Sequence, residues 1–287
     1  EVGKLLYDNL DNKIVEFDTP EIVIVINTMK DKVELNVNPL FIYGRYLKLI
    51  RGIPQTHWTC KNCNGEGCEE CDFKGYKYET SIEELISEKT IELCGGSEVK
   101  FHGAGREDID ALMLGSGRPF IIEIKKPKRR FIDLEKLENE INEFARDKVQ
   151  VLDLRFSDRD KVRSIKANAQ MAKKTYRVKV KMEKTIESDK IIELEESLSD
   201  ITIDQQTPNR VLHRRSDKIR RKKIFTFTVE NIEDNEFTAT ITSQGGTYIK
   251  ELVSGDNGRT IPNVSKLLGG IECTVLELDV VNVDSKY

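Results

Sequence analysis

The pattern of hydrophobic residues in this 287-residue chain predicts an α+β fold, with a mixed, largely antiparallel central sheet flanked by helices. Stretches that alternate apolar and polar residues are interspersed with stretches of helical period, in no regular strand–helix–strand rhythm. Hydrophobic residues make up 38% of the chain, enough to bury a sizeable core in one large domain or two. No run of about 18 apolar residues occurs, so no membrane-spanning helix is predicted.

Strands are predicted where β-branched and aromatic residues alternate with polar ones between turn signals. In chain order these stretches are residues 21–27, 33–37, 119–124, 149–156, 176–182, 224–230, 236–243 and 273–283. Residues 119–124 are mostly apolar, which is typical of a buried strand. The turn Glu233-Asp234-Asn235 joins two of the alternating stretches and predicts a hairpin.

Helices are predicted from apolar residues that recur three and four positions apart. These stretches are residues 81–93, 133–147, 158–173, 247–253 and 263–268. Ser81 precedes the first of them, and Glu84 follows three residues later, which predicts a capping box. Residues 183–206 are acidic and aliphatic, and they are predicted to form a helix followed by a loop.

The chain is expected to contain two parts that meet near Asn38-Pro39. Residues 1–37 hold two strand-like stretches and are interpreted as the end of a small α/β module that begins outside this sequence. Residues 38–287 are predicted to form the main domain.

The charge of the chain is uneven, although its net charge is only −4. Residues 207–223 hold eight Lys and Arg residues and one Asp, and residues 125–130 form a second basic cluster. Single charge runs are usually solvated surface. Two dense basic stripes on an acidic background favour a polyanion bound on one face.

Four of the six cysteines lie within twelve residues as two Cys-x-x-Cys pairs, Cys60 with Cys63 and Cys68 with Cys71. Thiolates at this spacing predict one structural zinc site, with Gly65 and Gly67 permitting the tight turn. Reactive or disulfide-paired thiols and an iron–sulfur centre are the alternatives. The pattern favours a reducing, intracellular setting, and the cytoplasm is the expected location.

Two glycine-containing segments far apart in the sequence carry chemistry that only the fold can bring together. Residues 105–110 (GREDID) place an arginine next to carboxylates, and residues 246–252 (GTYIKEL) place a lysine after a strand-like stretch. Together they resemble motifs II and III of the pseudouridine synthases. With residues 41–46, 54–56, 117–120, 174–176 and 207–215, the chain resembles the archaeal and eukaryotic tRNA pseudouridine synthases that act on T-loop uridines 54 and 55. The resemblance covers residues 41 to about 270.

The resemblance implies the pseudouridine synthase fold, in which residues 60–71 are a zinc-knuckle insertion, and an isomerase that needs no cofactor. It implies that Asp108 is the catalytic carboxylate, with Asp110 as the alternative, and that Lys250 is the cation beside it. The target uracil must be flipped out of the RNA stack to reach them. Tyr176 then stacks on the base and takes part in proton transfer. Leu252 packs against the other side of the base, with an ordinary position in the hydrophobic core as the alternative. Arg106 fills the vacated stack or grips phosphate.

The same resemblance implies tRNA, through its T-arm, as the partner of a monomeric protein. The basic stripe of residues 207–223 is expected to be a flexible loop that becomes ordered on RNA. Its side chains are expected to follow the phosphate backbone. These side chains are Arg210, His213, Arg214, Arg215, Lys218, Arg220, Arg221, Lys222 and Lys223. For Arg210 or Arg214, the alternative is a structural role in which the side chain braces a carboxylate near the site. Residues 1–37 are then the remnant of a THUMP-like RNA-binding module.

Two other functions remain open at this stage. Asp110, Glu123 and Lys125 resemble the Asp…Glu-x-Lys pattern of nucleases that hold Mg²⁺ between two carboxylates. Glu123 and Lys125 would share one face of a strand. A non-catalytic RNA-binding protein on the same fold is the other alternative.

Overall fold

The computed structural model describes residues 2–10 and 15–284. Residues 1 and 11–14 of the predicted first part and residues 285–287 of the predicted main domain lie outside the described residues. The helices are α1 (Val2–Asn9), α2 (Ile82–Cys94), α3 (Leu134–Phe144), α4 (Arg159–Asn168), α5 (Ser188–Leu198), α6 (Ile249–Ser254) and α7 (Val264–Leu267). Short 3₁₀ helices cover Glu69–Cys71, Asn209–Arg214 and Asp256–Gly258.

Twelve strands run through the described residues. They are β1 (Ile22–Asn27), β2 (Lys32–Val37), β3 (Leu40–Lys48), β4 (Glu98–Gly103), β5 (Leu112–Lys125), β6 (Val149–Ser157), β7 (Lys173–Met182), β8 (Ile201–Gln206), β9 (Ile219–Glu233), β10 (Glu236–Gln244), β11 (Thr260–Ile261) and β12 (Cys273–Asp284). Ten of these form one sheet in the order β11-β8-β9-β10-β7-β12-β5-β3-β6, and β4 also pairs with β5. Only the β12–β5 pairing is parallel among those described. The predicted α+β class and mixed, largely antiparallel sheet are confirmed.

The hydrophobic core lies between this sheet and the helices that cover it. Ile42, Phe120, Ile122, Val178 and Val180 are fully buried on the central strands. Helix α3 packs against α2 and β6, α5 packs against β9, and α6 packs against β12. Because α6 is held against β12 in this way, residues 249–254 come next to the centre of the sheet, where β12 lies beside β5.

The start of α2 follows its sequence prediction, with one change. The Ser81 hydroxyl accepts a hydrogen bond from the Glu84 backbone amide at 3.2 Å, so Ser81 is confirmed as the N-cap. The same hydroxyl donates to the Glu84 carboxylate at 2.7 Å. Glu84 therefore binds the capping side chain itself instead of closing the predicted box on the Ser81 backbone amide.

Two predictions in the second half of the chain were wrong. Residues 201–206, predicted as a loop, form β8, and residues 219–223, predicted as part of a flexible loop, form the start of β9. The two segments pair with each other from Ile201–Ile224 to Gln206–Ile219. The buried face of β8 carries Gln205. Its side-chain amide donates to the Tyr248 carbonyl and accepts from the Tyr248 backbone amide, both at 2.9 Å. Because this inward residue is polar, β8 lacks the alternation of apolar and polar residues that predicts a strand.

Three other elements differ in length from their predictions. Strand β5 begins at Leu112 rather than at residue 119, because Leu112 and Met113 pair with β12 before the fully buried stretch begins. Helix α4 ends at Asn168 and leaves residues 173–175 to β7. Helix α3 ends at Phe144, whose ring is 41% exposed and lies 5.0 Å from the Lys89 ammonium.

Strands β1 and β2 form a separate antiparallel hairpin. Its apolar side chains remain exposed, with Ile24 at 39% and Leu35 at 64%. The interpretation of residues 1–37 as a THUMP-like remnant stays a prediction. No helix in the described part of the chain is long and apolar enough to cross a membrane.

Candidate active site

The loop between β4 and β5 holds the predicted catalytic aspartate and is fixed through its backbone. Gly105 has a φ of +85°, a conformation that side-chain-bearing residues rarely adopt, and its carbonyl accepts a hydrogen bond from Gln55 at 2.9 Å. The Lys48 ammonium, only 1% exposed, donates to the carbonyls of Asp108 at 3.2 Å and Ile109 at 2.7 Å. The position of Asp108 is therefore set by buried groups beneath it.

A buried ion pair anchors the same loop. The side chains of Glu107 and Arg118 are each 1% exposed, and Arg118 Nε lies 2.8 Å from Glu107 Oε2. Arg118 also donates to the Ala104 carbonyl at 3.1 Å, and the Tyr46 hydroxyl donates to Glu107 at 2.9 Å. Burial first, and then Glu107, raises the pKa of Tyr46, so the phenol remains a donor. Every polar group of this cluster serves to hold the loop.

Asp108 lies at the surface end of the loop among charged side chains from distant elements. Its side chain is 36% exposed, and its Oδ2 lies 3.5 Å from Lys250 Nζ and 3.5 Å from Arg210 Nη1. The predicted proximity of Asp108 and Lys250 is therefore present. Arg210 lies between Asp108 and Glu251, with Nε 2.6 Å from Glu251 Oε1, so it braces carboxylates near the site, which was the alternative to a phosphate contact.

Lys250 lies nearer to Asp110 than to Asp108. Its Nζ is 2.7 Å from Asp110 Oδ2, and Asp110 is the more exposed carboxylate at 68%. Burial raises the pKa of Asp110, but the hydrogen bond and charge of Lys250 outweigh it and hold that pKa below its usual value. The Lys250 ammonium is thus shared by both carboxylates, with Asp110 bound directly and Asp108 at longer range.

A cavity of about 350 Å³ opens beside this ionic cluster. Asp108, Tyr176, Tyr248, Ile249 and Lys250 are among the residues that line it. Tyr176 is 8% exposed, and its burial raises the pKa of the phenol to about 12. Tyr176 is therefore protonated at neutral pH and can donate a hydrogen bond into the cavity.

Lys174 lines the same cavity two residues before Tyr176, and no role was predicted for it. The residue is 6% exposed, and no hydrogen bond or ion pair links its ammonium to another described residue. Burial, with the charge of Arg118, lowers the pKa of Lys174 to about 7. The sequence signal for a buried Lys174 was its position in an alternating strand, because Lys174, Tyr176 and Val178 share the face that is buried.

Several predicted RNA-binding side chains surround the cavity. Those that line it are Arg106, Arg210, Arg214, Arg215, Arg220 and Lys222. Arg215 donates to the Tyr248 hydroxyl at 2.8 Å, and Lys222 donates to the Gly245 carbonyl at 2.8 Å. The basic stripe is therefore largely ordered as a 3₁₀ turn and a strand, and it forms one wall of the cavity.

The other predicted residues lie away from the cavity lining. His213 and Lys218 are exposed, and Arg221 pairs with Asp204 on the neighbouring strand at 3.4 Å. Leu252 is fully buried within the main hydrophobic core, whereas Ile249 of the same helix lines the cavity. The predicted contact of Leu252 with the base is therefore not present in this arrangement, because the side chain is packed into the core.

The four clustered cysteines form the geometry that was predicted for them. Their sulfur atoms all lie within 4.8 Å of one another, with Sγ–Sγ distances of 3.9 Å for Cys60–Cys68 and 3.8 Å for both Cys63–Cys71 and Cys68–Cys71. Backbone amides point at the sulfurs, including that of Gly67 at 3.1 Å from Cys63 Sγ. Within the described residues this is the only group of three or more His, Cys, Asp or Glu side chains placed to share a metal ion.

The nuclease alternative finds no support in this geometry. Asp110 binds Lys250, whereas Glu123 lies 3.0 Å from His102 Nε2 and Lys125 lies 2.9 Å from Glu98. Asp110 and Glu123 do not belong to any group of potential metal ligands in the described part of the chain. The structure gives each member of the proposed triad a separate partner.

Comparison with known proteins points to one family. The family described as Pus10, C-terminal, matches residues 41–284. A protein of Methanocaldococcus jannaschii named tRNA pseudouridine synthase Pus10 is 49% identical over 281 residues, which cover 98% of this chain and 60% of that protein. A protein of Methanococcus voltae with the same name is 45% identical over 95% of this chain and 54% of its own length. The chain thus spans little more than half the length of these relatives.

Solved structures show a more distant likeness. The crystal structure of a Cbf5-Nop10-Gar1 complex matches with a TM-score of 0.44 at 16% identity, covering 70% of this chain and 45% of that chain.

Proposed function

Because this chain belongs to the Pus10 family, matching it over residues 41–284, we propose that it is the catalytic portion of a tRNA pseudouridine synthase acting on T-loop uridine 54, uridine 55 or both. The observation that carries the proposal is the arrangement of Asp108, Tyr176 and Lys250 around one open cavity. These are the three residues to which the family resemblance assigns catalytic roles. They come from three separate segments of the chain.

The reaction is an isomerisation in which atoms and electrons balance within the nucleotide. The bond between uracil N1 and ribose C1′ breaks, a bond between uracil C5 and C1′ forms, and the proton lost from C5 is matched by one gained at N1. Asp108 acts by attacking the base, by attacking the sugar, or by removing a ribose proton. Each route places negative charge on or beside Asp108, and the cations of Lys250 and Arg210 lie 3.5 Å from its carboxylate.

The cavity suits a single flipped base. Its volume of about 350 Å³ falls at the lower end of the range of about 300–1,000 Å³ that is usual for small-ligand pockets. Tyr176 offers an aromatic face and a protonated phenol, and the buried Lys174 ammonium offers an unpaired donor. A base that leaves its stack needs such contacts to replace its lost pairing and stacking.

The arginines and lysines of the cavity wall hold the RNA backbone. Arg106, Arg214 and Arg220 line the same cavity as Asp108, so phosphates flanking the flipped nucleotide lie within their reach. The exposed His213, Lys218 and Arg221 extend this basic surface outward. Binding through such contacts weakens as salt concentration rises.

Zinc is the metal that fits the cysteine cluster. A tetrahedral Zn²⁺ with Zn–S bonds of about 2.3 Å places its sulfurs about 3.8 Å apart, close to the observed Sγ–Sγ distances of 3.8 and 3.9 Å. Four cysteine ligands leave no open position, so the ion supplies folding energy and no chemistry. Elemental analysis is expected to find one zinc per chain, and its absence from reduced, freshly purified protein contradicts this assignment.

The decisive experiment incubates an unmodified tRNA transcript with this chain and maps pseudouridine at nucleotide resolution. Pseudouridine at position 54 or 55, formed without added divalent cations, supports the isomerase. Matched reactions use the longer chain that spans the full length of its relatives, because an accessory part can be needed for tRNA binding. Unmodified tRNA in both reactions overturns the proposal in favour of a non-catalytic RNA-binding protein, and cleavage that depends on Mg²⁺ favours the nuclease.

A further inference from the structure

Trp58 lies between the candidate active site and the cysteine cluster. It lines a cavity of about 200 Å³ together with Asp108, Asp110 and Lys250. It also lines a second cavity of about 540 Å³ together with Cys60 and Cys71. Trp58 therefore contributes to the lining of both cavities, and it is the only tryptophan of the chain.

The Trp58 ring is held by the loop that the cysteines organise. The Trp58 carbonyl accepts a hydrogen bond from the Lys77 amide at 2.9 Å, and Thr59 forms a β-bridge with Tyr76. The ring meets Tyr78 edge-on, with centroids 5.6 Å apart and planes at 82°. A ring restrained in this way loses little conformational entropy when it contacts a ligand.

The side chains around Trp58 suit an unpaired nucleotide better than a bare anion. Tyr76 lines the larger cavity beside Trp58, and the Lys77 ammonium lies 5.8 Å from the Trp58 ring centroid. Three lysines of this lining are balanced by three acidic residues, so charge alone does not attract a phosphate there. The six are Lys61, Lys74, Lys77, Glu70, Asp72 and Glu79. Aromatic faces with interspersed lysines are the usual platform for single-stranded bases.

We propose that Trp58 stacks on an unpaired base of the substrate RNA next to the flipped uridine, so that the cysteine-cluster loop contacts RNA as well as bracing the fold. The inference rests on the proposed function, because the occupant is the RNA whose target base enters the cavity beside Asp108. The 200 Å³ cavity that Trp58 lines shares Asp108, Arg106 and Lys250 with the cavity proposed for the target base, which places the stacked base within a short reach of the target nucleotide. RNA loops expose unpaired bases in this way, and proteins read them by stacking.

The fluorescence of the single tryptophan tests this directly in the unmodified protein. Titration with a tRNA transcript is expected to quench Trp58 emission in a saturable manner, with the same midpoint as binding of fluorescently labelled tRNA measured by anisotropy. A fully paired RNA duplex, which binds through phosphates alone, is the control and is expected to leave emission nearly unchanged. Saturated tRNA binding without any change in Trp58 emission overturns the proposal.

Substitution provides a second test. Trp58→Ala is expected to raise the Kd for tRNA and the KM about fivefold or more, while kcat at saturating tRNA changes less than threefold and zinc content is retained. Trp58→Phe, which keeps an aromatic face, is expected to recover most of the affinity. Phe156→Ala removes a 49% exposed ring on edge strand β6 and is the matched control, with no expected change. Equal affinities of the wild type and Trp58→Ala overturn the stacking role.

The two proposals fail differently. Quenching of Trp58 by tRNA without pseudouridine formation overturns the isomerase and leaves the RNA contact standing. Pseudouridine formation with unchanged Trp58 emission, and an unchanged KM in Trp58→Ala, overturns the contact and leaves the isomerase standing.

Discussion

Glu107 and Asp108 are adjacent carboxylates with opposite surroundings. The Glu107 side chain is 1% exposed and lies 2.8 Å from Arg118. The Asp108 side chain is 36% exposed and meets its two cations at 3.5 Å. One carboxylate is enclosed by short contacts that complete the fold, and the next is surrounded by looser contacts beside an open cavity. Neighbouring residues of like charge can therefore differ in what they contact: burial commits Glu107 to holding the loop, whereas Asp108 remains accessible from the cavity.

Removing the exposed carboxylate is the strongest test of the difference between Glu107 and Asp108. Asp108→Asn is expected to abolish pseudouridine formation, because the amide carries no negative charge and is a poor nucleophile and base. The free energy of unfolding is expected to change by only about 0.5 kcal/mol, as for most exposed positions. Nucleotide-resolution mapping and urea unfolding measure the two effects. Asp110→Asn is the control, and its inactivity alongside an active Asp108→Asn would transfer the catalytic role to Asp110.

Removing the buried carboxylate is expected to act on stability instead. Glu107→Gln leaves the Arg118 guanidinium buried without its counter-charge, which costs about 3–5 kcal/mol for a pair of this kind. Urea unfolding monitored by circular dichroism measures the loss. Glu277→Gln, which disrupts the exposed pair with Arg51, is the matched control and is expected to cost less than about 1 kcal/mol. Equal costs for the two variants would show that Glu107 does not anchor the loop.

Lys250, the cation shared by Asp108 and Asp110, provides a further test of the exposed carboxylates. Lys250→Met is expected to lower kcat about 10²-fold, a loss similar to that of one preorganised electrostatic contact. It also removes the charge that lowers the pKa of Asp110, so the Asp110 carboxyl is expected to titrate at higher pH in the variant, as measured by NMR. Lys250→Arg preserves the charge and is expected to retain most activity. An unchanged kcat in Lys250→Met would remove Lys250 from the site.

Lys174 is buried like Glu107, and like both carboxylates it lines the cavity. Its folded-state pKa of about 7 lies below the unfolded value of 10.5, so burying the ammonium opposes folding. Below pH 7 both states are protonated and the full penalty applies; between pH 7 and 10.5 the folded state releases its proton and stability rises with pH. Lys174→Met is therefore expected to stabilise the protein by about 2 kcal/mol at pH 6 and by much less at pH 10.

Thermal unfolding of Lys174→Met and the wild type across this pH range measures the difference. Lys181→Met, at an exposed position of the same strand, is the control. A gain in stability that does not depend on pH would show that Lys174 is neutral throughout.

The sequence predicted what periodic patterns and local motifs encode. Eight of the twelve strands, the Ser81 cap and the cysteine cluster required only nearby residues, whereas β3, β4, β8 and β11 were not predicted. The proximity of Asp108 and Lys250, far apart in the sequence, was predicted through family resemblance. Contacts that depend on long-range packing were not predicted. In the sequence, Lys48 and Arg118 resemble charged residues on the exposed face of a strand, but the fold buries both. Nothing in the local sequence reveals that Lys48 donates to the backbone carbonyls of Asp108 and Ile109 in the loop between β4 and β5.

The same limit explains the errors. Strand β8 was predicted as a loop because its inward Gln205 belongs to a hydrogen-bond network with Tyr248. Leu252 was carried over by motif alone, whereas its packing depends on how α6 lies against β12. The basic stripe was predicted to be flexible because its partner strand had not been identified.

The hydrogen bond from Lys48 to the Asp108 carbonyl bears on how a complex with RNA can be captured. A carbonyl is present whatever the side chain, so a substituted residue 108 remains held in the same place beside the cavity. An inert Asp108→Asn protein should consequently accept RNA in an undisturbed geometry and stop before any bond changes. That variant is the natural starting point for crystallising a stalled complex in which the displaced uracil is seen in place.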